Sequence, residues 1–265
     1  RTLSQSLLNN GVSLPTRHPA LQKPGRQAGF GVGLGPDGMP KSFWHISAEE
    51  FVRCWTHGKG NHGRFPIIKS APFWALNVHP ELASLLETEK LTPTERLELI
   101  WQHCNESECE PISNWKNLKE RVVERIDQLL EPNEDERVIW DLYQRFIGLP
   151  DSSGSFVRAL AERSREAYLA GADIDPIKLA ELWIGKKSKA KAKTKIQMAF
   201  EISEVDKYKY PVRHTEIGSY VSRGLFEAEK RSASNQSLCS LTGSVGPLEE
   251  DKWPNPNLPV IGTSY

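Results

Sequence analysis

The chain has 265 residues, 38% of them hydrophobic and eight of them tryptophan, which is enough apolar material for a packed core and excludes a disordered polymer. No apolar run approaches the roughly 20 residues a membrane-spanning helix needs. Residues 1–10 lack the basic start and apolar stretch of a secretory signal, and the four cysteines are too sparse for a disulfide framework, so the expectation is a cytoplasmic protein with no membrane partner.

Lys and Arg balance Asp and Glu at 34 each, but unevenly along the chain. Residues 1–80 carry nine cations against three acids, residues 81–181 twelve against twenty-two, and residues 182–265 thirteen against nine. An acidic middle between two basic ends says more about partners than a neutral total does.

From the amino terminus, Ala28 to Leu34 alternates small and apolar residues, Gly35-Pro36-Asp37-Gly38 supplies turn chemistry, and Lys41 to Ile46 returns, which predicts a β-hairpin. Ser47 with Glu50 forms a capping box that starts a helix running through Phe51 to Trp55 and ending at Gly58. Residues 81–184 read as a bundle of four or five amphipathic helices. Thr92-Pro93-Thr94-Glu95 opens one with the stripe Leu97, Ile100, Trp101, Cys104; Asn114 to Leu130, Glu134 to Ile147, Ser155 to Ala170 and Pro176 to Ile184 supply the others, the last with Ile177, Ala180 and Leu182 as its apolar residues. Ile196 to Ile202 alternates like a strand, Tyr208 to Arg213 reads as an edge or loop segment, and Thr215 to Arg231 as a helix weakened by Gly218 and Gly224. The fold class expected is α+β: a small β-containing basic region over 1–80, an acidic helical region over 81–185, and a lysine-rich loop with a mixed α/β region over 186–265. The missing initiator Met and the extended run ending at Tyr265 lead us to expect that the natural chain continues.

Two segments carry cations in a pattern suited to phosphate. The first holds Lys186, Lys187, Lys189, Lys191, Lys193 and Lys195, six lysines in ten residues, whose mutual repulsion opposes packing and whose charge neutralises a polyanion without regard to sequence. The second, Trp55 to Phe65, combines glycines that let backbone approach a phosphate with Lys59 and Arg64 to pair with it, Asn61 or His62 to reach a base edge, and flanking aromatics to stack on unpaired bases. A solvated linker and an ordinary surface loop are the plain alternatives.

Metal and catalytic patterns are weak. Cys54, His57 and His62 cluster in sequence, as do His103, Cys104 and Cys109, but neither has paired C-x-x-C spacing, and Cys54 and Cys104 fall on apolar helix faces; no metal or cofactor is expected. The glycines at 29, 31, 33 and 35 belong to the hairpin and not to a dinucleotide turn, and there is no Walker lysine or nucleophile elbow. His214 near Glu216 is the one acid/base pair by proximity. The reading is against an enzyme.

Leu238-Cys239-Ser240-Leu241-Thr242-Gly243, with Pro247 and then Asn257-Leu258-Pro259-Val260-Ile261-Gly262, resembles the Cys-x-x-Thr-Gly motif of large subunits of type I CRISPR surveillance (Cascade) complexes, in particular the type I-C-like branch. The hairpin Phe30 to Leu34 with its turn, followed by a basic aromatic stretch to Phe73-Trp74-Ala75-Leu76, resembles that family's amino-terminal region in order and spacing. The match covers about a fifth of the chain, the helical middle offers no correspondence, and the family's usual basic continuation after the motif is lacking. The resemblance implies a non-catalytic subunit in antiviral defense that binds guide RNA and double-stranded DNA, recognises the protospacer-adjacent motif (PAM), aids duplex opening, contacts other complex subunits and recruits a helicase-nuclease. The alternatives are a metal-dependent nuclease or nucleic-acid-processing domain, and a helical protein-interaction adaptor.

Overall fold

The computed structural model describes residues 18, 20–24, 28–58, 64–69, 90–106, 114–150, 154–184, 196–232, 236–238 and 245–247. The expected hairpin forms: β2 (Gly29–Leu34) and β3 (Pro40–Ile46) pair antiparallel from Gly29 opposite Ile46 to Leu34 opposite Pro40. Gly38 closes the turn at φ +77°, where a side chain is disfavoured, and a Cβ there would lie 2.7 Å from the Arg145 carbonyl oxygen. Asp37 accepts the Met39 N–H at 3.0 Å and pairs with Lys41 at 2.8 Å.

A strand from the far end of the chain completes the sheet. β6 (Gln197–Ile202) runs parallel to β2 and antiparallel to β5 (Ile67–Lys69), giving the order β3-β2-β6-β5. Every residue of β2 and β6 is buried, as expected when both faces of a sheet are covered. On one face Phe30, Val32, Leu34, Met198, Phe200 and Ile202 join the main core. The opposite face carries the glycines of β2, with Ile46, Ile67 and Ala199 packed under Phe51 and Cys54. The half-buried indole of Trp44 lies directly on Gly31, where a Cβ would come within 2.2 Å of it.

The capping box at Ser47 and Glu50 is present, but α1 (Ala48–Val52) stops well short of Gly58. Trp55 is the cause. It is fully buried and donates its indole N–H to the Val212 carbonyl at 2.8 Å, and this tertiary contact overrides helical continuation. Cys54 instead bridges to His214, and Thr56–His57 forms β4, paired with β1 (Leu21–Gln22).

The helical middle consists of α2 (Pro93–Glu106), α3 (Asn114–Ile126), α4 (Arg137–Ile147), α5 (Gly154–Leu169) and α6 (Pro176–Ile184). Their stripes are buried as the periodicity requires: Leu97, Ile100, Trp101 and Cys104 on α2, Leu118, Val122 and Ile126 on α3, Val138, Leu142 and Phe146 on α4. α4 lies on β2 and β6, and α5 on β3. Phe65, Phe146 and Phe200 meet at centroid distances of 4.7 to 5.9 Å, which ties the bundle to the sheet. Ile177 departs from expectation at 59% exposed, while Leu179, Leu182 and Trp183 are buried. Asp175 accepts the Ile177 N–H at 2.9 Å and so sets the phase of α6, turning Ile177 outward.

α7 (Thr215–Ser232) runs without a break through both glycines. They allow close approach: a Cβ at Gly218 would meet the Trp55 ring at 2.6 Å, and one at Gly224 the Gln128 carbonyl oxygen at 3.0 Å. β7 (Gln236–Leu238) and β8 (Val245–Pro247) form a last antiparallel pair. Among the described residues no helix is long and apolar enough to cross a membrane.

Candidate nucleic-acid interface

Both basic segments are attached to the β5–β6 ribbon. Lys186, Lys187, Lys189, Lys191, Lys193 and Lys195 lie outside the described residues, but the chain that follows them enters the sheet at Ile196 and Gln197, and Gln197 sits between Gly29 of β2 and Lys69 of β5. Lys59, Asn61 and His62 also lie outside the described residues. Their loop springs from a stem in which His57 and Phe65 exchange backbone hydrogen bonds of 2.8 and 3.1 Å, with Gly58 at φ +108° and its N–H on the Ala20 carbonyl at 3.0 Å. Because β5 and β6 are antiparallel, the two attachment points stand at opposite ends of the ribbon: Phe200 donates to the Pro66 carbonyl, whereas Gln197 pairs with Lys69. Three residue steps along β6 separate these pairings, about 10 Å.

Of the polar residues expected to meet nucleic acid Arg64 alone is described, while the flanking aromatics Trp55 and Phe65 are buried in the core and so do not stack on a base. The Arg64 guanidinium donates through Nη2 to Gln22 Oε1 at 3.0 Å and so braces β1 against the loop stem. Its Nε is buried with no hydrogen-bond partner among the described residues, and partial burial lowers its pKa from the ordinary value. His57, opposite Phe65 in the same stem, is buried, its Nδ1 has no partner among the described residues, and burial, with the charges of Arg125 and His18, drives its pKa down to about 3. His57 is therefore neutral at pH 7 and adds no charge to the loop.

At the carboxy-terminal end of β6 a buried ion pair holds the next segment. Glu201 is fully buried, and its carboxylate accepts the Arg213 Nη1 at 2.7 Å and the Val212 N–H at 2.8 Å. Burial pushes its carboxyl up, against the opposing pull of Arg213. The Arg213 guanidinium lies 6.0 Å from the Trp44 ring. Beyond it, the Tyr210 and His214 rings are parallel within 6° at a centroid distance of 5.5 Å, and Lys209 Nζ stands 5.2 Å from the Tyr210 centroid. The expected His214–Glu216 pair forms on the surface, with Glu216 half exposed. Reading 208–213 only as an edge or loop missed this group, although the alternation Lys207-Tyr208-Lys209-Tyr210 was a legible sign of it.

Among the described residues no three His, Cys, Asp or Glu side chains gather as metal ligands. Cys54 donates its thiol to the Glu50 carbonyl, and burial raises that thiol to about 11; Cys104 is buried in α2. Cys109 lies outside the described residues, as do Cys239 to Gly243, which connect Leu238 to the β8 strand that pairs with it. No family model, curated protein or solved structure matches the chain.

Proposed function

We propose that this chain is a non-catalytic nucleic-acid-binding subunit of an RNA-guided DNA surveillance complex, one that reads a short protospacer-adjacent motif in duplex DNA and helps to open it. The observation that carries the reading is the segregation of charge: six lysines in ten residues, in a chain of zero formal net charge, sit immediately before β6, a central strand of the sheet. A run of lysines neutralises phosphates without regard to sequence, and the strand that follows it ties that affinity to the folded sheet. Lys59, Asn61 and Arg64 belong to a second cationic segment that joins the same ribbon by way of Pro66, whose pairing with Phe200 lies about 10 Å along the strand from that of Gln197 with Lys69. The acidic helices are left to face protein neighbours, which include the other complex subunits and a recruited helicase-nuclease. Base pairing with a guide RNA reads the target in such assemblies, while protein reads the motif and the backbone.

The test is expression with the neighbouring genes, purification of the assembly, and sequencing of any small RNA held in it, together with duplex capture by the same preparation. A defined guide and motif-dependent capture are expected. Replacing the six lysines by glutamine should weaken capture; capture and guide retention both unchanged would overturn the reading.

A further inference from the structure

Between β6 and α7 the chain reads Lys207-Tyr208-Lys209-Tyr210-Pro211-Val212-Arg213-His214, cations interleaved with aromatics. Its backbone is fastened from below: Glu201 accepts the Val212 N–H, Trp55 donates to the Val212 carbonyl at 2.8 Å, and Tyr208 donates its hydroxyl to Asp141. Its rings stand at the surface. Tyr210 and His214 are only partly buried, their planes parallel within 6°, with the exposed Lys209 over the phenol ring and the Glu216 carboxylate on His214 Nδ1. Parallel rings on a backbone held by these hydrogen bonds, with a cation beside them, are what a flat heteroaromatic ring finds pre-arranged, because less ordering is needed on contact.

We propose that Tyr210 and His214 form a stacking platform for an unpaired base of a single-stranded nucleic acid, with Lys209 neutralising the adjoining phosphate. The proposal rests on the reading of the chain as a nucleic-acid-binding protein but concerns residues other than those of the lysine run and the 59–64 loop. The footprint is short. On one side Lys207 shares an open cleft of about 540 Å³ with Glu134, Asp135, Arg137 and Tyr208, where two acids balance two cations, and on the other stands Glu216, so no continuous cationic track extends the site beyond one or two nucleotides. Stacking, more than charge, therefore carries the contact, and its salt dependence is shallow compared with that of a six-lysine segment.

The experiment titrates the full chain with oligothymidylate, oligouridylate and a blunt duplex. Tyr210→Ala should weaken binding of one or both single strands roughly 5- to 100-fold while duplex affinity changes less than about twofold, and Tyr210→Trp should restore single-strand binding. Photo-cross-linking of a bromouracil-substituted single strand to the native chain should give adducts at Tyr210 or His214, a readout independent of how the variants fold. Unchanged single-strand binding by Tyr210→Ala, equal loss on single strand and duplex, or adducts confined to other residues would overturn the proposal. So would an acidic peptide whose binding needs Tyr210 when that of the single strand does not. If lysine-to-glutamine replacement leaves duplex capture and guide retention both intact while Tyr210→Ala still loses the single strand, the surveillance-complex reading fails and the platform stands.

Discussion

Glu201 and Arg213 form an ion pair of 2.7 Å in which the carboxylate is wholly inaccessible to solvent and the guanidinium side chain 14% exposed. The pair joins the end of a central strand to the segment that presents Tyr210 and His214. The same carboxylate accepts the Arg213 backbone N–H at 3.3 Å, so strand and segment are coupled through backbone as well as side chain.

Removing the carboxylate strands a cation and two backbone N–H groups. Glu201→Leu should cost roughly 3–5 kcal/mol of unfolding free energy, measured by denaturant titration. Arg213→Met added to it should recover part of that loss, because the uncompensated charge is gone, and the double-mutant cycle reports the coupling. A loss within about 0.5 kcal/mol for the single variant would show that the pair contributes nothing to the fold.

Burial of His57 makes stability depend on acid. Its folded pKa of about 3 lies below the unfolded value of 6.5, so the folded state keeps the imidazole neutral while the unfolded chain takes up a proton. The stabilisation is complete above pH 6.5 and declines as pH falls from there toward 3, by up to about 1.4 kcal/mol per pH unit. His57→Gln should remove this dependence, so the stability difference between variant and native chain should shrink steadily from pH 7 to pH 4. A difference that stays constant would mean that His57 titrates normally.

Much of the architecture was legible because periodicity and caps acted locally. Ser47 with Glu50, Thr92 with Glu95 and the α2–α4 stripes announced helices that form where expected, and the β2–β3 turn carried its own chemistry in Asp37 and Gly38. What escaped was set by partners distant in sequence. The end of α1 depends on Val212, across 157 residues, and nothing between Phe51 and Gly58 announces it. Likewise the parallel union of β2 with β6 joins residues about 168 apart, and alternation alone does not choose a neighbour. At the candidate site the cations could be read from composition, but the bracing of Arg64 by Gln22 and the Tyr210–His214 stack required three dimensions.

The glycines of α7 and the α5–α6 turn should respond to alanine for opposite reasons. Gly218→Ala places a methyl 2.6 Å from the rigid Trp55 ring, and an overpacked site of this kind costs about 1–3 kcal/mol. Gly171→Ala meets nothing within 4 Å, so its cost arises from φ +79° alone, about 1–2 kcal/mol. A second substitution separates them: Trp55→Phe, by making room, should reduce the penalty at Gly218 and leave that at Gly171 unchanged. Equal penalties in both backgrounds would dismiss the steric account of Gly218.

Arg64 and the lysine run should differ in kind when neutralised. Each lysine that meets a phosphate releases counterions and contributes about 0.9 to the slope of log affinity against log salt, so six glutamines should flatten that slope by up to about 5 with the melting temperature unchanged. Arg64 already holds Gln22 at 3.0 Å and is partly withdrawn from solvent. Its replacement by Gln should therefore flatten the slope by no more than about 1 and also lower stability, by about 1 kcal/mol for the lost hydrogen bond. Duplex binding across a salt series, beside thermal melting of the same samples, separates the two behaviours. A lysine-run variant that keeps the native slope would place the phosphate contacts elsewhere on the chain, whereas an Arg64→Gln variant that loses slope without stability would free Arg64 from its bracing role.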